Sequence, residues 1–150
     1  MCHHTNAQIF CQHFGRENTI RNNLFAFGSD GLVARGRGEN HRALTLEGNK
    51  LVTDRQPFFV GGSAHDLASP RFLTDFNLLW DASRTLSCAG RNGTREETGR
   101  ATDRREFPLA QLRDPGYDAH SVVSDPRFKD PVGRGLTLMR DSPAFALGFV

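Results

Sequence analysis

The chain has 150 residues, 37% of them hydrophobic and 24% charged, which is the size of one domain or part of one and leaves little room for a second. Leu, Ile, Val and Phe make up 36 residues, enough apolar surface to exclude wholesale disorder, yet no stretch approaches the ~18 apolar residues of a membrane span. The net charge is +2 with the basic residues scattered, so the basic stripe of a nucleic-acid interface is missing and neither nucleic acid nor membrane is an expected partner.

The start, Met1-Cys2-His3-His4, lacks the basic and then apolar regions of a secretory signal. Cys2, Cys11 and Cys88 are an odd count without C-x-x-C spacing, which argues against a disulfide framework and against a zinc ribbon. His3, His4, Cys11 and His13 are metal-ligand side-chain types, but their spacing matches no site with a mechanism. No metal and no cofactor is expected.

Further along, a repeat sets the organisation. Thr19-Ile20-Arg21-Asn22-Asn23-Leu24-Phe25-Ala26-Phe27, Leu44-Thr45-Leu46-Glu47-Gly48-Asn49-Lys50-Leu51-Val52 and Phe72-Leu73-Thr74-Asp75-Phe76-Asn77-Leu78-Leu79-Trp80 each read as strand, polar corner with Asn, strand. The asparagines are 26 and then 28 residues apart, too short for a strand-helix-strand unit and suited to one turn of a β-solenoid. Stacked coils of this kind pair their short strands in parallel, place Ile20, Leu24, Leu46, Leu51, Leu73 and Leu78 in apolar columns, and let an Asn at one corner bond the coils on either side. Parallel crossovers are right-handed. Ordinary hairpin turns of an antiparallel protein are the other reading of the same segments.

Beyond the third repeat, 81–107 is polar and Arg- and Glu-rich and reads as a loop or insertion, with the stretch to Arg105 the most mobile part. Glu106 to Arg113 suits a short helix with Pro108 in its first turn, and Leu136 to Met139 suits a last strand. Asp141-Ser142-Pro143-Ala144 then supplies a capped turn, after which Phe145, Leu147 and Phe149 are placed to cover an open apolar end. The organisation that follows is coils over 1–80, the polar segment over 81–107, and a last coil with a C-terminal cap over 108–150.

The segment from His13 to Ala26, HFGRENTIRNNLFA, resembles a stretch of right-handed parallel β-helix repeat proteins of the pectin lyase-like superfamily. Asn77-Leu78-Leu79-Trp80-Asp81 is similar to one of their coils, and Gly116 to Phe128 with Asp141 to Phe149 is similar to the blocks that finish such chains. The resemblance spans roughly residues 3 to 87 and 108 to 149 and implies an all-β, right-handed parallel β-helix fragment with a C-terminal cap, the end of a longer solenoid. It further implies a carbohydrate-active parent, secreted or periplasmic, that degrades polysaccharide as a glycoside hydrolase or a lyase. A polysaccharide or oligosaccharide is then the partner.

A hydrolase needs two carboxyl groups flanking the glycosidic bond, and a lyase needs a base together with a cation that neutralises a uronate. Coils about 4.8 Å apart make residues one repeat away spatial neighbours, so Arg21, Glu47 and Asp75 can share a face. Glu47, Asp75 and His13 are the catalytic candidates; Arg35, Trp80 and Arg16 are the substrate-binding candidates, Trp80 as a stacking plane. A plain solvated face accounts for the same charges. His120 reads as a structural turn residue. Two further readings stay open: a non-catalytic solenoid that binds glycan or a partner, and a truncated scaffold without activity of its own.

Overall fold

A computed structural model describes residues 2–3, 10–12, 15–35, 41–60, 72–91, 104–110, 117–130 and 135–149. Two short strands, β1 (Cys2–His3) and β2 (Phe10–Gln12), precede three successive strand trios. These are β3 (Asn18–Arg21), β4 (Leu24–Ala26), β5 (Val33–Arg35); β6 (Leu44–Glu47), β7 (Lys50–Thr53), β8 (Phe59–Val60); and β9 (Phe72–Asp75), β10 (Leu78–Asp81), β11 (Ser87–Arg91). Each trio gives one strand to each of three sheets. The first sheet is β3-β6-β9; the second is β1-β4-β7-β10-β13, ending on β13 (Val122–Val123); the third is β2-β5-β8-β11-β12, ending on β12 (Arg104–Pro108). Every pairing between trios is parallel, which removes the antiparallel hairpin reading, and β12 on β11 is antiparallel. The protein is all-β with its strands mostly in parallel sheets.

The repeat places like residues in register: Arg21, Glu47 and Asp75 are Cα partners down the first sheet, and Phe25, Leu51 and Leu79 down the second. Between the first and second sheets each trio turns on two residues, Asn22-Asn23, Gly48-Asn49 and Phe76-Asn77, whose first member is left-handed with φ of 55°, 62° and 55°. Behind each stands the asparagine that bonds its neighbours. Asn49 Oδ1 accepts from the Asn23 backbone N–H and Asn77 Oδ1 from that of Asn49, while Asn77 takes a donor bond from its own N–H to Ser121 Oγ. The corner amides are thereby satisfied without water.

Inside, Phe25, Leu32, Val33, Leu44, Leu46, Leu51, Phe58, Phe59, Phe72 and Leu79 form the main core. Each fully buried side chain of this size contributes about 1.5–3 kcal/mol relative to exposure. The outer face of the second sheet is covered as well. An antiparallel hairpin, β14 (Phe128–Asp130) and β15 (Gly135–Leu138), lays Phe128, Leu136 and Leu138 against Leu24, Ala26, Val52 and Trp80. A 3-10 turn, Pro143–Leu147, then brings Ala144 and Phe149 onto Leu78. Ser142 caps that turn by accepting from the Ala144 N–H.

Several expectations need correcting. Within the segment read as a polar loop, Ser87–Arg91 and Arg104–Pro108 are strands paired antiparallel to each other, with Cys88 and Phe107 as Cα partners. Helical backbone therefore begins only at Leu109, not at Glu106. The final residues lie on the outer face of the second sheet, where Phe149 is buried and Leu147 half-buried against Leu78 and Ala144, while Phe145 is 44% exposed. Leu73 stands in the column of Thr19 and Thr45, half-buried, and Phe72 and Thr74 take the inward positions instead.

Candidate functional site

Period-two alternation in the first sheet buries Leu44, Leu46, Phe72 and Thr74 and turns the other set outward. One outward column is Arg21, Glu47 and Asp75, about one strand spacing apart from rung to rung. The turn at 117–120 extends it. Arg21 donates to Glu47 as a hydrogen-bonded ion pair. Asp75 accepts at Oδ1 from the backbone N–H groups of Phe76 (2.9 Å) and His120 (2.8 Å), and its Oδ2 lies 2.7 Å from His120 Nδ1. Burial alone pushes the Asp75 carboxyl up, but the bonds from the His120 side chain and backbone and from Phe76 outweigh it and hold it below the ordinary carboxylate value.

Next to this column the Phe76 ring stacks on the His120 ring, centroids 4.9 Å apart and planes within 7°, and stays 51% exposed. Neither residue stood out in the sequence as part of a site. His120 is a turn residue as expected, yet its bonds go to a side chain 45 positions away, a separation that no local pattern reveals.

The other candidates are dispersed. Arg35 closes β5 in the third sheet, where its backbone pairs with Gln12, and its side chain lies outside the described residues, as does His13 altogether. Trp80 belongs to the second sheet and is half-buried against the hairpin and the 3-10 turn, so its ring is largely taken up by packing. Arg16 is exposed in the turn before β3. Glu47 and Asp75 thus share a sheet, and Arg35 and Trp80 stand on two others.

Two further carboxylates are structural. Asp81 is fully buried and accepts from the N–H groups of Arg55, Ser83 and Leu86 and from the Ser83 hydroxyl, all within 2.7–3.0 Å. Desolvation raises its carboxyl, and these four bonds more than reverse that, holding it below the ordinary value. Asp118, also fully buried, accepts from Thr74, Asn77 and Ser121 and locks the turn at 117–120 under the third trio. Among the described residues no three His, Cys, Asp or Glu side chains gather as a metal site. An open depression of about 350 Å³ lies at the corner after β4 and β7, lined by Phe27, Gly28, Ser29, Asp54 and Gln56. Comparison with protein-family models, with curated proteins and with solved structures finds no match to the chain.

Proposed function

We propose that the chain is a right-handed parallel β-helix of the pectin lyase-like kind, and that it takes up polysaccharide along the outer face of its first sheet. Three strand trios pairing in parallel at offsets of 26 to 28 residues support the architecture, and the crossover rule supplies the hand. The observation that carries the binding reading is the exposed Phe76 ring beside the Arg21–Glu47–Asp75–His120 column. An aromatic plane accepts the C–H face of a sugar, and adjacent carboxylates and a guanidinium bond its hydroxyls or a uronate. The column favours binding over catalysis, because Arg21 and His120 already engage both carboxylates as acceptors, whereas a general acid must donate.

Affinity electrophoresis against acidic and neutral polysaccharides tests this. Retardation by at least one polysaccharide is expected, weakened about tenfold in Phe76→Asn, which keeps a residue tolerant of the left-handed corner. Equal mobility with and without every polysaccharide would overturn it. The Cα register of Glu47 and Asp75 favours one second reading, a glycoside hydrolase in which the pair works one rung apart. Turnover lost in Glu47→Gln and in Asp75→Asn, with folding retained, would establish that reading; unsaturated products lost only in His13→Ala would point to a lyase.

A further inference from the structure

The residues just before the corner asparagines form a column of their own, Asn22, Gly48 and Phe76 on successive trios. His120 is its fourth member, since it precedes Val122 as Phe76 precedes Leu78, and Leu78 and Val122 are Cα partners. The Phe76 and His120 rings stack with centroids 4.9 Å apart and planes within 7°, about one strand spacing. One face of Phe76 is therefore taken by His120. The opposite face points along the column to Gly48, which has no side chain to lay on it. A Cβ at Gly48 has only Asn22 Oδ1 within 4 Å, so the level between Phe76 and Asn22 is open. Asn22 is exposed and its side-chain amide bonds no described residue. On the same rung as the gap, Glu47 gives Oε1 to Arg21 and keeps Oε2 free to accept.

We propose, resting on the polysaccharide reading above, that the missing member of this column is one pyranose ring of a neutral polysaccharide, seated level with Gly48 between the Phe76 ring and the Asn22 amide. A pyranose has an apolar C–H face and a polar rim. The slot meets both, with the Phe76 face for the C–H groups, Glu47 Oε2 and Asn22 Oδ1 as acceptors for hydroxyls, and Asn22 Nδ2 as a donor. A planar aromatic guest would use the ring face and leave those polar groups unmet. A uronate fits less well, because its carboxylate would enter beside Glu47 and Asp75 while Arg21, the guanidinium of the neighbouring column, is already paired to Glu47. Gly48 then sets specificity: a side chain there fills the level that the sugar occupies.

Calorimetric titration of the intact chain with hexasaccharides of glucose, xylose, mannose and galactose, and with the galacturonate hexamer, tests the slot. At least one neutral hexasaccharide is expected to bind, about tenfold tighter than the galacturonate hexamer. Gly48→Asn gives the second corner the residue that the first already carries at φ of 55°, so the fold is kept while the slot is filled. Binding should fall about tenfold in that variant, at unchanged circular dichroism. Asn22→Gly should weaken it about fivefold, by loss of one hydrogen bond. Binding lost in Phe76→Asn but indifferent to Gly48→Asn and to Asn22→Gly would overturn the slot and leave the polysaccharide reading standing. Tighter binding of the galacturonate hexamer would overturn the neutral class. A chain that polysaccharide retards but that binds no hexasaccharide would likewise overturn the slot alone, whereas a chain that neither binds would overturn both.

Discussion

The backbone N–H of Asn49 donates to Oδ1 of Asn77 at 2.8 Å, and Asn23 repeats the bond on Asn49 at 3.0 Å. The ladder is uneven, however. Asn77 is fully buried and its side-chain amide donates to Leu46 O, Thr74 Oγ1 and Asp118 Oδ1, whereas the side-chain amide of Asn23 donates, among the described residues, only to Arg21 O. Asn77→Ala strands several buried groups and should cost about 3 kcal/mol, against about 1 kcal/mol for Asn23→Ala. Urea unfolding of the two variants checks the ranking. Equal costs would mean that the ladder bonds, not burial, set the energy.

That ladder was legible before any coordinates, because near-constant spacing puts like residues in one column and only one register then serves all three asparagines. What pairs across the repeat was not. Asp118 reaches Thr74 over 44 positions and looks in sequence like any turn aspartate. Trp80 reads as an exposed stacking plane because alternation cannot tell which face of a parallel strand is covered from outside, and here Phe128 and Leu138 cover it. Phe76, an aromatic residue in a left-handed corner, breaks the local rule that favours Gly or Asn and is also the exposed ring of the candidate site.

Acid sensitivity follows from Asp75 and Asp81. Both folded carboxyls titrate below their ordinary value, so the unfolded chain takes up the protons first as pH falls. Their contribution is fully present above the unfolded value of about 4 and is lost as pH drops through the folded values. Unfolding midpoints in urea should stay level from pH 7 to 5 and then decline. In Asp81→Asn the decline should be shallower and the stability at pH 7 lower, since an amide nitrogen cannot accept the Leu86 N–H. An unchanged acid slope would reject Asp81 as a source.

Backbone conformation at the corner gives a separate test. Gly48 has φ of +62°, and a Cβ there meets only Asn22 Oδ1 at 3.4 Å, an ordinary contact. Gly48→Ala should therefore cost about 1 kcal/mol, all of it from the left-handed backbone. Asn22→Gly, at the equivalent corner with φ of 55°, should change stability little. A Gly48→Ala variant as stable as the parent would show that the corner relaxes.

The Lys50 ammonium sits 3.8 Å from the centroid of the Phe149 ring, tying the second sheet to the last turn of the chain. Desolvation by the same apolar surroundings lowers the Lys50 pKa, so the cation is partly withdrawn from water where the ring replaces its hydration. Phe149 is itself buried against Leu78 and Ala144. Two effects then separate by substitution. Phe149→Ala removes the ring and its packing and should cost about 3 kcal/mol, while Phe149→Leu keeps much of the apolar volume and loses the ring face. Combining Phe149→Leu with Lys50→Met in a double-mutant cycle should give a coupling of about 0.5–1 kcal/mol. Zero coupling, with Phe149→Ala still costly, would assign the whole contribution of Phe149 to apolar burial on the side of the second sheet.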